Sequence, residues 1–280
     1  VPHTLLIAPA ELAAHFDKPD WFVFDVRHEL QDTEAGRTAY RAGHIPGAIF
    51  LHMDEDLSAG KTGKNGRHPL PDRDAFAARL AALGVAPGTQ VVAYDAAGGM
   101  MAARLWWMLR WLGHEKVAVL DGGWPAWATH YPISTDTPPA RPAGTLQAHV
   151  PLTRQVSAAE VLTNINKKEK LVLDARGPDR FRGENETMDP VGGHIPGARN
   201  RCFRDNLGPD GCFKDAATLR QEFLATLGDF APTQVISQCG SGVTACHNLL
   251  AMEQAGLPGA ALYPGSWSEW CSDPARPVAR

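Results

Sequence analysis

Short apolar runs alternate with longer stretches of helical periodicity along this chain, and the alternation is written twice. Phe22-Val23-Phe24 and Leu171-Val172-Leu173 are unbroken apolar runs that close on Asp25-Val26-Arg27 and Asp174-Ala175-Arg176. Apolarity without alternation marks strands buried on both faces rather than strands with one wet side. Arg73 to Leu83 and Ala217 to Leu227 read as helices lying between such runs. Strands that alternate with helices favour a mostly parallel sheet flanked by helices on both faces, so the expected fold class is α/β.

The repetition extends to motifs. Gly43-His44-Ile45-Pro46-Gly47-Ala48 returns at residues 193–198, and Thr89-Gln90-Val91 returns as Thr233-Gln234-Val235. Trp124-Pro125-Ala126-Trp127 is answered by Trp267-Ser268-Glu269-Trp270. These pairs keep one order and a nearly constant offset of roughly 150 residues, the signature of an internal duplication. Between the halves, Pro132 to Pro151 carries Pro138, Pro139 and Pro142 and few apolar anchors, a composition that predicts an extended, stiff connector. The expected organisation is a first domain over 1–131, a proline-rich linker over 132–152 and a second domain over 153–280.

One segment stands out chemically. Val235-Ile236 reads as a buried strand after the turn at Ala231-Pro232-Thr233, and Ala245 to Ala255 reads as a helix stopped by Gly256. Cys239-Gly240-Ser241-Gly242-Val243-Thr244 joins them. Glycines let such a loop aim successive N–H groups at one point, and the helix N-terminus adds partial positive charge. A thiolate is stabilised in that setting. A buried structural cysteine is the plainer alternative; the loop chemistry favours a nucleophile.

The duplication serves as an internal control. Asp25/Arg27 and Asp174/Arg176 occur in both halves and are read as scaffold ion pairs at strand ends. His44 and His194 sit in matching Pro-Gly turns and are read as structural histidines, and the paired tryptophans as packing. Aligning Thr89–Tyr94 on Thr233–Gln238 puts Asp95 opposite Cys239. A carboxylate cannot replace a polarisable sulfur nucleophile, so the first half is expected to lack the reaction and to help form a substrate cleft. The chemistry is expected in the second half.

Composition narrows the setting. The 280 residues suffice for two domains, and a net charge of −4 gives no electrostatic footprint for nucleic acid or an anionic membrane. No apolar stretch is long enough to span a bilayer. Val1 to Ala14 shows no basic leader followed by a long apolar run, so no signal peptide is expected, and the valine start is consistent with trimming. Five cysteines, all beyond residue 200, form neither a disulfide framework nor a CxxC pattern, which predicts a reducing cytoplasm.

Taken together, the two Asp-x-Arg strands, the two His-Ile-Pro-Gly-Ala turns, the Asp95 loop and the Cys239 loop resemble the rhodanese superfamily, specifically its tandem-domain sulfurtransferases. The resemblance covers essentially the whole chain and implies two tandem rhodanese-like domains, the first inactive and the second catalytic. Cys-Gly-Ser-Gly-Val-Thr is similar to the loop of the 3-mercaptopyruvate branch, whereas thiosulfate-preferring members usually carry basic residues where Gly240 and Ser241 stand. The resemblance implies Arg180 as a carboxylate-binding residue, against the plainer reading of a surface salt bridge. It also implies a second arginine before the next His-Ile-Pro-Gly turn. Residues 184–193 are acidic here and contain none, which keeps thiosulfate open as a donor.

Asp54 and His68 match an aspartate and a histidine that face the catalytic loop in the mercaptopyruvate enzymes; His68 before Pro69 reads equally as a turn residue. Arg67, Lys61 and Lys64 read either as positive potential at the cleft mouth or as a solvated loop. The implied reaction is sulfane sulfur transfer through a Cys239 persulfide, with Ser241, Asp54 and His68 moving a proton and Gly240, Gly242, Val243 and Thr244 holding the terminal sulfur. The implied acceptor is a thiol, cyanide or a reduced protein dithiol such as thioredoxin. No metal or organic cofactor is implied, and a monomer is expected. Cys246 reads as core, and nothing singles out Cys202, Cys212 or Cys271.

Two rival classes share parts of this pattern. A Cys-x5-Arg phosphatase needs an arginine six residues after the cysteine, and position 245 is alanine. A catalytically silent binding module is the other, and the intact Cys239 loop argues against it.

Overall fold

In the computed structural model, which describes residues 2–280, the chain forms two compact units that do not follow it linearly. Unit 1 holds the residues up to Ala59 together with Pro71–Leu152 and Pro209–Phe213. Unit 2 holds Gly60–Leu70, Thr153–Gly208 and Lys214–Arg280.

Each unit is built on a five-stranded, wholly parallel sheet. In unit 1, β1 (Leu6–Ile7), β2 (Trp21–Asp25), β3 (Ile49–Phe50), β4 (Gln90–Tyr94) and β5 (Val117–Leu120) lie in the order β1-β5-β4-β2-β3. In unit 2, β6 (Arg154–Gln155), β7 (Leu171–Asp174), β8 (Arg199–Asn200), β9 (Val235–Gln238) and β10 (Ala261–Leu262) repeat it as β6-β10-β9-β7-β8. β2, β4, β7 and β9 are buried at every residue, as central strands of a parallel sheet covered on both faces are, including the polar Gln90, Ser237 and Gln238. Val23, Val92 and Ala118 pack with Trp127 in one core, and Val172, Ile236 and Ala261 pack with Trp267 and Trp270 in the other.

Strand register explains the recurring Asp-x-Arg motif. Asp25 pairs with Tyr94 and Asp174 with Gln238, so each motif lies beside the exit of the central strand. The Arg27 guanidinium donates to Asp25 at 2.6 Å and to Gly43 O at 2.6 Å, and it stacks 4.5 Å from the Trp124 ring. Arg176 repeats this with Asp174 at 2.7 Å, Gly193 O at 2.7 Å and Trp267 at 4.7 Å. One buried cation thereby ties a strand end, the His-Ile-Pro-Gly turn and a tryptophan helix together, with its charge paired. The histidines of the turns are likewise satisfied: His44 Nδ1 lies 2.8 Å from Tyr40 O, and His194 Nδ1 lies 2.8 Å from Phe181 O.

The proline-bearing stretch 132–152 is irregular, with no helix and a single bridge from Ser134 to His44. It is nonetheless strapped down along unit 1. Gly144 N donates to Ala81 O, Leu146 N donates to Val85 O, and the Leu146 side chain is buried. An added Cβ on Gly144 would stand 2.1 Å from Val85 O, so the strap runs closer to unit 1 than any side chain would permit.

Candidate active site

The central strand β9 ends at Gln238, and the helix Thr244–Gln254 begins six residues later. In an open parallel sheet this is where strand order reverses, and the crevice at the carboxyl ends of the strands is the natural ligand position. Residues 239–243 fill the turn. Both flanks of the loop are pinned to the next turn of chain: Cys239 N donates to Ser266 Oγ at 3.0 Å, Trp267 N donates to Cys239 O at 2.9 Å, and Ser268 N donates to Gly240 O at 2.9 Å. Gly242 N donates to Cys239 Sγ at 3.1 Å. The sulfur is thus buried, faces a backbone N–H and sits at the N-terminus of an eleven-residue helix.

Gly242 is required by geometry. Its φ is +80°, and an added Cβ would stand 2.2 Å from Pro264 O, which is backbone and cannot swing away. Gly242→Ala is therefore expected to destabilise the protein by more than about 1 kcal/mol and to lose most activity. Thermal melting alongside turnover checks this; an unshifted melting temperature with full activity would contradict it.

Other predicted site residues of unit 2 gather at the same loop. Ser241 Oγ and His68 Nδ1 share a hydrogen bond of 2.7 Å, and both side chains are buried. His68 belongs to the segment Gly60–Leu70, which groups with unit 2 although it comes from the first half of the sequence. Val243 is the buried residue preceding the helix, and Thr244 is its first residue. Asp54 lies in unit 1, partly buried, with its N–H donating to His52 Nδ1 at 3.2 Å.

Arg180 is neither free nor a mere surface pair. Its Nε and Nη2 donate to the two oxygens of Glu186 at 3.0 and 2.9 Å, and Nη2 also reaches Asp189 at 3.4 Å. Glu186 is almost fully buried. Burial works to raise its carboxyl, but the Arg180 guanidinium and the N–H groups of Met188 and Asp189 outweigh that and hold it below the usual glutamate range. The acidic stretch that breaks the family's arginine pattern thus serves as an anchor for Arg180.

The duplication logic hid one contributor. The match to Arg27 marks Arg176 as scaffold, and it does make the same contacts. Its proton is nevertheless held above the ordinary arginine range: burial opposes this, while Asp174, then Glu186, then the Cys239 sulfur outweigh it. A buried cation therefore acts electrostatically on Cys239 in addition to bracing the strand. Comparison between the halves could not separate the two roles.

The corresponding loop in unit 1 shows what replaced the sulfur. The Asp95 carboxylate accepts N–H groups from Ala97, Gly99, Met101 and Ala102 at 2.7 to 3.0 Å. This anion cradle is filled by its own side chain. Trp124 N donates to Asp95 O at 2.7 Å, matching the Trp267–Cys239 contact of unit 2.

None of the five cysteines forms a disulfide. Burial pushes the Cys212 and Cys271 thiols up to about 11, and burial also raises that of Cys202, so these remain protonated near neutrality. Cys246 lies in the buried face of the helix, its Sγ 3.4 Å from Gly242 O. Within unit 1, Glu34, His52 and Glu55 could together offer metal ligands, but Arg37 bridges the two glutamates and His52 Nε2 lies 2.9 Å from Thr33 O. Among the described residues no helix is long and apolar enough to cross a membrane.

Comparison with known proteins agrees with this architecture. The rhodanese-like domain family matches residues 8–130 and again 157–273. A Pseudomonas aeruginosa protein described as a probable 3-mercaptopyruvate sulfurtransferase is 45% identical over 98% of this chain and 97% of its own length. The thiosulfate sulfurtransferase of Mus musculus is 35% identical over 90% of this chain and 85% of its own. The crystal structure of SseA from Escherichia coli, a 3-mercaptopyruvate enzyme, superposes with a TM-score of 0.82 at 31% identity, covering 95% of this chain and 99% of that one. Two matched domains, each on the same five-stranded parallel sheet, make this chain a tandem-domain member of the rhodanese family of sulfurtransferases.

Proposed function

We propose that this protein transfers sulfane sulfur from 3-mercaptopyruvate to a nucleophilic acceptor through a persulfide on Cys239, with the nucleophile and its loop in residues 153–280 and His68 joining them from the segment 60–70. The observation that carries the reading is the placement of Cys239 Sγ against Gly242 N–H, at a helix N-terminus, with the Ser241–His68 pair on the same loop.

The Cys239 thiolate attacks the donor sulfur. The new S–S bond forms as the C–S bond breaks, and its electron pair leaves on carbon as pyruvate enolate, which needs a proton. Ser241, hydrogen-bonded to His68, supplies it; Asp54 is assigned the same relay by resemblance to the family. Gly240, Gly242, Val243 and Thr244 then hold the terminal sulfur with loop N–H groups. An acceptor thiol, cyanide or a reduced protein dithiol such as thioredoxin attacks that sulfur and returns Cys239 to the thiolate. Double displacement of this kind gives ping-pong kinetics. The same loop could accept sulfur from thiosulfate, where sulfite leaves without needing a proton, and the resemblance to the mouse thiosulfate enzyme keeps that second donor in view.

Parallel steady-state turnover with 3-mercaptopyruvate and thiosulfate tests the assignment. A kcat/KM at least about tenfold higher for 3-mercaptopyruvate is expected, and the reverse order would overturn the donor. We further propose a cytoplasmic monomer, supported by five cysteines that form no disulfide and by an internal duplication that already supplies two domains in one chain.

A further inference from the structure

A cavity of about 740 Å³ lies in unit 1 where β2 and β4 begin, at the opposite end of the sheet from the Asp95 loop. It is walled by Pro19, Phe22, Gly84, Gly88 and Pro142, together with Arg141 of the proline-bearing strap. Ligands of open parallel sheets ordinarily sit at the carboxyl ends of the strands, so the fold alone does not account for a cavity here. The Arg141 guanidinium lies over the Phe22 ring, 4.0 Å from its centre. Its Nη1 donates to Trp21 O at 2.9 Å and to Pro19 O at 3.3 Å, which fixes the direction of the fork. Among the described residues, Arg141 Nε and Nη2 donate to no protein atom, and no carboxylate pairs with the charge. Burial therefore holds the guanidinium below the ordinary arginine range, with no acid offsetting it. Gly84 makes this wall possible. Its φ is +109°, and an added Cβ would stand 2.9 Å from Phe22 Cζ and 3.1 Å from Pro142 O.

We propose that this cavity is a binding site for a small organic monocarboxylate with an apolar body, held by Arg141 Nε and Nη2 with its body along Phe22 and the prolines. Nε and Nη2 form one edge of the guanidinium, the edge that takes a carboxylate through two parallel N–H···O bonds. A partly desolvated cation without a counter-ion costs stability, and a ligand carboxylate supplies the missing partner. The rest of the lining selects against more highly charged anions. Asp20 lines the same cavity and forms no ion pair, so the walls carry one charge of each sign. Thr89 Oγ1 is already taken by the N–H of Ala86. What remains is apolar side chain and glycine backbone, which suits a hydrocarbon or aromatic body better than a second polar group. The site is separate from the Cys239 loop and does not rest on the proposed sulfur donor.

Benzoate is the probe, titrated into the isotope-labelled full chain and followed by amide NMR. Saturable shifts of the Gly84, Gly88 and Thr89 amides are expected, with a Kd of about 1 mM or below. Phenylethylamine, which keeps the ring and reverses the charge, should leave those amides in place. Arg141→Gln should weaken benzoate by about tenfold or more, the loss expected for hydrogen bonds to a charged group. Because Arg141 also anchors the strap, a second pair of variants leaves it untouched. An added Cβ on Gly88 meets nothing within 4 Å, so side chains there are expected to leave the fold intact. Gly88→Glu should weaken benzoate several-fold by repulsion, and Gly88→Lys should strengthen it. Benzoate that moves none of these amides, or that binds Arg141→Gln and Gly88→Glu as tightly as wild type, would overturn the site. Equal binding of phenylethylamine would overturn it as well, because the groove would then be indifferent to charge.

Discussion

Cys239→Ala is expected to lower turnover with every sulfur donor by a factor on the order of 10⁴ or more. No other thiol is equipped to replace it. Cys212 and Cys271 are pushed up to about 11 by burial, with nearby acids adding to the effect, and burial likewise raises Cys202. Cys246 is buried on the helix with its thiol donating to Gly242 O rather than facing a backbone N–H. Cys239 alone combines the Gly242 N–H, the helix N-terminus and the Arg176 cation. The substitution is also mild for the fold, since alanine retains the backbone bonds to Ser266 and Trp267. Activity should therefore vanish while the melting temperature moves little. Residual turnover above a few per cent, in protein free of wild type, would show that another group carries the sulfur.

Ser241→Ala should separate the two donors. Loss of a proton donor in the transition state typically costs about 10²- to 10⁴-fold. The enolate leaving from mercaptopyruvate needs that proton, whereas sulfite leaving from thiosulfate does not. The expected result is a fall of about 10²-fold or more in kcat with 3-mercaptopyruvate and a much smaller change with thiosulfate. His68→Gln, which removes the partner at 2.7 Å but keeps a polar side chain, should show the same asymmetry at lower amplitude. Equal losses with both donors would mean that the pair only shapes the loop.

The architecture was legible because the duplication repeated every signal. Apolar runs gave β2, β7 and the start of β9, the repeat of Thr-Gln-Val gave β4, and the Cys239 loop followed from glycines between a strand and a helix. Comparing the halves also explained the silence of unit 1: Asp95 stands opposite Cys239 and fills its own cradle. What stayed hidden depended on long-range packing. Nothing local announces that residues 60–70, from the first half, group with unit 2, or that residues 209–213 group with unit 1. Arg67, in a stretch that reads equally as a solvated loop, therefore gave no sign that it stands beside Gly240, 173 residues further along the chain, next to where His68 meets Ser241. Arg176 was hidden for the opposite reason. Its repetition in both halves marked it as scaffold and masked its second role. The acidic stretch 184–193 looked like a lost binding site, because sequence shows which charges are present but not which of them face one another.

The account stands on a persulfide at Cys239, and mass spectrometry reads it directly. Protein treated with one equivalent of 3-mercaptopyruvate, freed of small molecules and digested without reductant, should carry one extra sulfur on the peptide containing Cys239. The mass should return to that of the untreated protein after addition of cyanide, and Cys239→Ala should gain nothing. Sulfur found on another cysteine, or gained equally by Cys239→Ala, would contradict the mechanism.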